Sequence, residues 1–467
     1  MSKKITIVGG GPGGYIAAIR AAQLGAQVTL IEKDRLGGTC LNVGCIPTKC
    51  LLHTAKLLED IRHQSAQIGI DISGVQLNFS KTMAHKNAVA RQLVNGVSGL
   101  IRANHIQVIA GKAHFVAPGK MQVQTADGQR QAINADAIVL ATGSVNAVPP
   151  IPGIKASSHC MDSTGVLALE QLPKTMIVIG AGVIGLEIAC AYAAFGTKIT
   201  VVEALDYVLP MLDEDITAVG LRHMKRMGIT FQMASPVRLV EDMDNGARVL
   251  CQNPAGEHVA FEAEKVLVAV GRKANTAALN LNLGGVANEA GKIIVNDHMQ
   301  TNIKSIYAIG DCVKGHAQLA HAASRMGEIA AENIMGLNTI YDESTNPTCV
   351  YMEPEAAAVG LREGQLKAGS YKVGTFPMIA NGKALIVNGG EGFIKIIADT
   401  KTEKIIGIHM IGPRATDLIA EGAVAIRMGM KVDELTETIH SHPTISEAVR
   451  EAALSVQGRT LNMPPIK

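Results

Sequence analysis

A glycine pattern that occurs twice constrains the fold of this 467-residue chain more than any other feature. The first copy places Gly9, Gly11 and Gly14 between a short apolar run and a run of helical periodicity. A second apolar run then ends at Glu32, 18 residues after the last glycine. Such a strand–turn–helix–strand unit holds a dinucleotide pyrophosphate at the helix N-terminus, and its acid binds a ribose hydroxyl. The pattern therefore predicts a Rossmann-like dinucleotide-binding domain.

The second copy of the pattern has the same spacing. It consists of Gly180, Gly182 and Gly185, and Glu203 again follows the last glycine by 18 residues. Two copies imply two bound dinucleotides, or a duplication in which one copy is idle. A site for the 2′-phosphate of NADP needs a cation, and the Ala-Leu-Asp that follows Glu203 supplies none. We therefore expect NAD at the second site.

Composition argues against several other functions. The chain has 43 basic and 41 acidic residues, 3% aromatic residues and no Trp, so neither nucleic acid nor an anionic membrane is an expected partner. Residues 177–196 are apolar and long enough to span a membrane, but Glu187 and four glycines favour a strand, a turn and a helix there. Lys3 and Lys4 precede only four apolar residues. That run is too short for a secretory signal, so we expect a cytoplasmic protein.

The remaining segments extend the α/β pattern. Strand-and-turn patterns recur at residues 137–144 and 266–272. In the segment 307–312, Asp311 ends an apolar strand, where a carboxylate serves either a ligand or a helix N-cap. Beyond about residue 345, short alternating runs and one helical run predict an α+β domain with an antiparallel sheet.

Cys40 and Cys45 lie five residues apart behind a Gly-Gly-Thr turn. In a reducing compartment such a pair is more often catalytic or metal-binding than structural. In a regular helix the two residues would be offset by about 7.5 Å and would point about 140° apart, which is too far for a disulfide. The helix must therefore be distorted, and Gly44 supplies the freedom; a strained, accessible bridge is the labile, catalytic kind. Zinc would need two more soft ligands, and Cys50 is the only local candidate, so we expect no metal.

Two segments, GGTCLNVGCIPTK (37–49) and HSHPTISE (440–447), resemble the flavin disulfide oxidoreductases, the class I pyridine nucleotide-disulfide oxidoreductase family. The resemblance covers essentially the whole chain, although members of the family more often have Ser where Thr48 stands. It implies two Rossmann-like domains that bind FAD and NAD, a central domain that completes the FAD site, and a C-terminal α+β dimerisation domain. The implied bounds are residues 1–146, 147–272, 273–345 and 346–467, in that order.

The resemblance also implies an activity and its partners. A homodimer would oxidise the dihydrolipoyl group of a lipoylated protein, and would bind the core subunit of a 2-oxo acid dehydrogenase or glycine cleavage complex. Electrons would pass through a Cys40–Cys45 redox disulfide and tightly bound FAD to NAD. Cys40 is implied to be the interchange sulfur and Cys45 the flavin-facing one.

Further site residues are implied by the same resemblance. Lys49 would lie beside the flavin ring, with Glu187 as its ion-pair partner at the nicotinamide pocket. Without the resemblance, the sequence predicts only a surface lysine and a glutamate in a helix interior. The other implied FAD contacts are Thr39, Gly111, Thr142, Gly143, Ser144, Asp311, Gln318, Leu319, Ala320 and His321. The other implied NAD contacts are Val237 and Gly271.

His442 and Glu447 are implied to carry the acid–base step. The family pattern selects His442, next to Pro443, over the competing His440. A neutral imidazole titrates near pH 6.5 and can take a thiol proton, and Glu447 can orient it. Since these residues follow the cysteines by about 400 positions, the resemblance implies that the base reaches the disulfide of the other subunit.

Two rival functions remain at this point. A glutathione or mercuric reductase of the same superfamily would prefer NADPH, and a mercuric reductase would add a C-terminal cysteine pair, whereas no cysteine follows Cys349. A non-catalytic nucleotide-binding scaffold would need neither the cysteine pair nor His442.

Overall fold

The first glycine pattern builds the centre of the amino-terminal half. The computed structural model describes residues 2–125 and 127–464. In it the strand Lys4–Val8, the helix Pro12–Gln23 and the strand Gln27–Glu32 follow one another. The two strands pair in parallel, with Ile5 opposite Val28. Lys4–Val8 is buried except at its first residue, and only the first residue of Gln27–Glu32 is exposed, as expected for a parallel sheet covered on its two faces.

These strands belong to a seven-stranded sheet. Its order is Ile306–Ala308, Ala137–Leu140, Lys4–Val8, Gln27–Glu32, Gln107–Ala117, Lys120–Thr125 and Arg130–Ala132. The first five strands are parallel, and the last two form an antiparallel extension. The helices Pro12–Gln23 and Ala320–Met335 pack closely on each other. Because the parallel strands all end at one edge, segments far apart in sequence meet there.

The second glycine pattern builds a second parallel sheet. Strand Thr175–Ile179, helix Val183–Phe195 and strand Lys198–Val202 replace the membrane span considered for residues 177–196. The sheet order is Thr230–Gln232, Lys198–Val202, Thr175–Ile179, Lys265–Val268 and Cys160–Met161. An antiparallel meander accompanies it, formed by Val237–Met243, Gly246–Gln252 and His258–Ala263. Within the described ranges no helix is long and apolar enough to cross a membrane.

The chain passes between the two sheets through one short ribbon. Strand Ser144–Asn146 leaves the first sheet, and strand Arg272–Ala274 returns from the second. The two strands pair antiparallel, with Val145 opposite Lys273. A second two-stranded ribbon, Asn288–Glu289 with Lys292–Ile293, follows.

The carboxyl-terminal part forms an antiparallel sheet of five strands. Their order is Thr348–Val350, Ala356–Gly360, Ile405–Ile411, Phe393–Asp399 and Tyr371–Pro377. The helices Ala415–Met428, Val432–Glu437 and Glu447–Val456 accompany it. The central strands are buried on both faces, because they are contacted by the helices Ala415–Met428 and Glu447–Val456 and by Glu214–Arg226 of the second unit.

The remaining helical segments are mostly short. The α-helices are Gly38–Val43, Cys45–Glu59, Phe79–Ala103, Ser163–Val166, Leu281–Gly284 and Gly382–Asn388. A π-helical turn spans Asp60–Gln64. The 3-10 turns are Ala66–Ile68, Ala277–Leu279, Gly310–Cys312, Glu343–Thr345, Glu363–Gln365 and Met378–Ala380.

Candidate active site

The helix that carries the cysteine pair is broken between them. One helix, Gly38–Val43, ends before Gly44, and a new helix, Cys45–Glu59, begins after it. A Cβ atom at Gly44 would lie 2.9 Å from the Thr39 carbonyl oxygen, so the break needs a residue without a side chain. Both cysteines are free thiols, and their sulfur atoms hydrogen-bond to each other.

The two sulfurs differ in their affinity for a proton. The hydrogen bond from Cys40 lowers the pKa of Cys45 to about 7; burial opposes this shift and the cation of Lys49 adds to it. The same hydrogen bond, together with burial, raises the pKa of Cys40. As pH rises, the pair therefore loses its first proton from Cys45, while Cys40 keeps its proton.

Lys49 lies one helical turn after Cys45 and is held by contacts from two distant segments. Its Nζ is 2.7 Å from Oε2 of Glu187, whose side chain is only 3% exposed. The other oxygen of Glu187 accepts the backbone N–H of Tyr351 at 3.0 Å. The Tyr351 ring lies under the ammonium, with Nζ 4.5 Å from the ring centroid. Tyr351 was not among the residues expected from the sequence.

The first glycine motif packs as tightly as its spacing requires. A Cβ at Gly14 would lie 1.9 Å from the Gly9 carbonyl oxygen, so the helix can approach the strand only with glycine here. The carboxylate of Glu32 accepts two backbone N–H groups, from Gly10 at 2.6 Å and from Asp34 at 2.8 Å. These bonds fix the acid beside the glycine turn.

The second motif repeats this arrangement. Glu203 accepts the N–H of Ala181 at 2.6 Å and that of Leu205 at 2.9 Å. Gly185 does not line the cleft described next. Its role is packing, since a Cβ there would lie 2.3 Å from the Gly180 carbonyl oxygen.

Both motifs and the cysteine pair line a single cleft of about 1580 Å³. Cys40, Cys45 and Lys49 lie in it together with most of the expected cofactor contacts. Those contacts are Gly9, Gly11, Gly14, Glu32, Thr39, Gly111, Thr142, Gly143, Ser144, Gly180, Gly182, Glu187, Glu203, Val237, Gly271, Asp311, Gln318, Leu319, Ala320 and His321.

Asp311 takes part in a network across the ribbon between the two sheets. Its carboxylate accepts the hydroxyl of Ser144 at 2.5 Å, and it caps no helix. Arg272 donates to the same hydroxyl at 2.7 Å and to the Ser144 carbonyl at 2.8 Å. Gln318 donates to the Asp311 carbonyl at 3.2 Å. Sequence reasoning missed Arg272, although it directly follows Gly271 in the second strand-and-turn pattern.

His442 and Glu447 lie outside the cleft and close to each other. Nδ1 of His442 is 3.0 Å from Oε1 of Glu447, and the imidazole side chain is 80% exposed. Burial opposes the shift, but hydrogen bonds from the Thr444 N–H and from His442 lower the pKa of Glu447. The carboxylate therefore stays charged and can hold a protonated imidazole.

His440 has a different environment. Its side chain is 6% exposed and Nε2 lies 2.7 Å from Oε1 of Glu421. That hydrogen bond raises the pKa of His440, against the effect of burial. A histidine held in this way has no free ring nitrogen to offer a substrate, because Nδ1 lies 3.0 Å from the Thr438 carbonyl.

Two dinucleotide-binding sheets that share a cleft with a dithiol define an oxidoreductase linked to pyridine nucleotides and disulfides. Residues 3–327 match the family model described as pyridine nucleotide-disulphide oxidoreductase, and residues 346–453 match its dimerisation domain. The chain belongs to this family, with FAD and NAD as its cofactors. The expected fold class, two Rossmann-like domains and a C-terminal α+β dimerisation domain, is confirmed.

Curated relatives and solved structures agree with this assignment. The chain is 40% identical to the dihydrolipoyl dehydrogenase of Bacillus subtilis over 98% of both chains. It is 38% identical to the mitochondrial dihydrolipoyl dehydrogenase of Pisum sativum, over 98% of this chain and 92% of the relative. The crystal structure of LpdA from Mycobacterium tuberculosis matches with a TM-score of 0.89 and 28% identity, over 97% of this chain and 99% of that one.

Proposed function

We propose that the protein is a dihydrolipoyl dehydrogenase, which oxidises a dihydrolipoyl group to lipoyl and reduces NAD. The observation that carries the proposal is the cysteine pair at the Gly44 break, with Lys49 and Glu187 in the same cleft as both glycine motifs. A nucleotide-binding scaffold needs no such pair. Identity of 40% to a curated dihydrolipoyl dehydrogenase supports the choice of substrate.

The residues of the first glycine unit fit FAD. The first turn of the helix Pro12–Gln23 has no side-chain cap, so its N–H groups can bind phosphate. The space beside Gly11 is open, since the nearest atom to a Cβ there would be 4.0 Å away, on Gly38. Glu32, Asp311 and Gln318 supply polar groups along the cleft. Bound FAD would accept an electron pair from the cysteine dithiol and pass it to NAD as hydride.

The cysteine chemistry starts from the disulfide form of the pair. His442 takes the proton of one substrate thiol, and the resulting thiolate attacks Sγ of Cys40. The Cys40–Cys45 bond breaks, and Cys45 leaves as a thiolate. His442 releases the first proton to solvent and then takes the proton of the second substrate thiol, whose sulfur attacks the substrate sulfur of the mixed disulfide. This closes the lipoyl ring and releases Cys40 as a thiolate, which takes the second proton from His442. The substrate loses two electrons and two protons; the cysteine pair gains both electrons and one proton, and the other proton goes to solvent.

The proposal includes a shared active site in a homodimer. His442 is exposed and lies outside its own cleft, which suits a base that serves the cleft of a second copy. We retain the expected division into an FAD domain (1–146), an NAD domain (147–272), a central domain (273–345) and an interface domain (346–467). The expected partners are a lipoylated protein and the core subunit of a 2-oxo acid dehydrogenase or glycine cleavage complex. The eight free thiols support a reducing compartment, and we propose the cytoplasm.

The charge of Glu203 favours NAD over NADP. Both oxygens of Glu203 accept backbone N–H groups, so a negative charge is fixed where the ribose would bind. A 2′-phosphate would be repelled there. This separates the protein from glutathione-type reductases, which prefer NADPH.

A steady-state assay on the purified FAD-loaded protein tests the function. Free dihydrolipoamide is supplied with NAD or NADP, and nicotinamide reduction is followed by absorbance. We expect turnover with NAD and little with NADP, and loss of turnover in Cys45→Ser. The Cys160→Ser variant, which removes a thiol outside the cleft, is the control. A second assay supplies NADPH with oxidised glutathione. No turnover in either assay despite bound FAD would refute the enzyme function, whereas faster turnover in the second would refute the substrate.

A further inference from the structure

Tyr351 joins the carboxyl-terminal part of the chain to the dithiol centre. It directly follows the strand Thr348–Val350. Its backbone N–H holds one oxygen of Glu187 at 3.0 Å, and its ring lies 4.5 Å from the Lys49 ammonium. Tyr351 therefore contacts both members of the ion pair, Lys49 and Glu187, which lie on two different helices.

The ring acts on Lys49 as a neutral aromatic face. Burial raises the pKa of Tyr351 to about 12, so the phenol keeps its proton at any working pH. A cation at this distance from an aromatic centroid is attracted by the ring quadrupole, and the attraction grows as water is excluded. Glu187 alone fixes the ammonium from one side, and the ring limits its movement on the other.

The position of the ammonium matters for the sulfur atoms. After the hydrogen bond from Cys40, and against the effects of burial and of the Glu187 carboxylate, the Lys49 cation contributes to the lowered pKa of Cys45. Electrostatic attraction weakens with distance. An ammonium that left the ring would therefore support a thiolate on Cys45 less well.

We propose that Tyr351 is a positioning residue for the dithiol: its ring face holds the Lys49 ammonium where it favours the charged form of the cysteine pair. The inference rests on the proposed function, because it concerns the dithiol that the reaction uses. It assigns to the interface domain a contribution to the redox centre of its own chain, in addition to the base expected for the cleft of the other copy.

The test measures ionisation of the cysteine pair in the FAD-loaded protein. The variants are Tyr351→Leu, Tyr351→Phe, Lys49→Met and the double variant Tyr351→Leu with Lys49→Met. Each is reduced with one equivalent of dithionite without oxygen and treated briefly with iodoacetamide across a range of pH. Mass spectrometry quantifies alkylation of the peptide that carries both cysteines. The midpoint is a property of the pair, since its two protons are coupled.

We expect Tyr351→Leu to raise the midpoint by about one pH unit, and Tyr351→Phe to leave it nearly unchanged because the ring is kept. In the Lys49→Met background, Tyr351→Leu should cause no further shift, because nothing remains to be positioned. Tyr371→Leu, which removes a tyrosine from another strand of the same sheet, should match the wild type.

Two results would overturn the inference. An unchanged midpoint in folded Tyr351→Leu would show that the ring does not act on the pair. An equal shift with and without Lys49 would show that it acts by packing alone. The wild-type turnover assay is read separately: failure there with a normal alkylation profile would refute the proposed substrate and leave the positioning role standing.

Discussion

Lys49 and Glu187 lie 2.7 Å apart although 138 residues separate them in the chain. The glutamate is almost completely buried and the lysine is about one-third exposed. Their ion pair joins the helix that carries the cysteines to the helix of the second glycine motif. Removing one partner leaves the other charge partly buried without compensation, which costs more than the pair itself contributes.

Glu187→Gln is therefore expected to lower turnover by about tenfold or more, through loss of the fixed ammonium beside the dithiol. The measurement is kcat for NAD reduction, together with the thermal midpoint to confirm folding. The control is Glu262→Gln, which breaks an exposed ion pair with Arg248 and should change neither value. Unchanged turnover in Glu187→Gln would contradict the role given to the pair.

Gly44→Ala is expected to disturb the cysteine pair, because its Cβ would lie 2.9 Å from the Thr39 carbonyl oxygen. The backbone must shift by several tenths of an ångström, and the two sulfurs move with it. We expect at least a tenfold fall in turnover with dihydrolipoamide, about 1.4 kcal/mol or more in activation free energy.

Gly96→Ala is the matched control for this change. Gly96 lies in the helix Phe79–Ala103, and a Cβ there would have no neighbour within 4 Å. Alanine should stabilise the helix by up to about 1 kcal/mol and leave turnover unchanged. Equal effects of the two substitutions would show that Gly44 has no special role.

His442→Ala is expected to lower turnover by about a hundredfold or more, as for loss of a general base. Glu447→Gln should lower it less, because the imidazole remains in place but loses the carboxylate that orients it at 3.0 Å. His440→Gln keeps the exposed base and should retain most of the activity. A larger loss of turnover in His440→Gln than in His442→Ala would show that His440 is the base.

Mixing inactive protomers tests whether the site is shared. Dimers formed from Cys45→Ser and His442→Ala chains contain one site with both wild-type residues only if the base comes from the other copy. Random reassociation should then restore about a quarter of wild-type activity. If cysteine and base act within one chain, the mixture stays inactive.

His409 predicts a dependence of stability on pH. It is wholly buried, with Nε2 at 3.0 Å from the Leu361 carbonyl and Nδ1 at 3.6 Å from Oδ2 of Asp213. Burial lowers its pKa, against the effects of the Leu361 bond and Asp213. In the unfolded chain it titrates near 6.5, so the unfolded state binds more protons below that pH and folding stability falls as pH falls.

The measurement is the thermal midpoint from pH 8 to pH 5 for wild type and His409→Gln, which can still donate to Leu361. The wild type should lose stability on acidification more steeply than the variant. Each unit of pKa difference between the folded and unfolded states corresponds to about 1.4 kcal/mol. Parallel curves would show that His409 does not contribute to the acid sensitivity.

The local parts of the site could be predicted from sequence, and the non-local parts could not. Gly14 and Glu32 follow from a fixed spacing within one strand–turn–helix–strand unit, because their partners lie in the same unit. The Gly44 break follows from the geometry of a regular helix. Tyr351 and Arg272 contact residues more than 100 positions away. The hydrophobic periodicity of the sequence cannot predict such contacts. The pairing of Lys49 with Glu187 was expected only through the family resemblance.

The ribbon formed by Ser144–Asn146 and Arg272–Ala274 has a consequence for how this architecture is assembled. The polypeptide leaves the seven-stranded sheet and rejoins it through two adjacent antiparallel strands, so everything between them is a topological insertion. If the inserted segment were removed and the two ends of the remaining chain were joined, every strand of the seven-stranded sheet would still be present. Ala137–Leu140 precedes the insertion and Ile306–Ala308 follows it. Removing the segment would also remove Glu187, the partner of Lys49, so the sheet could be completed without the insertion but the site could not.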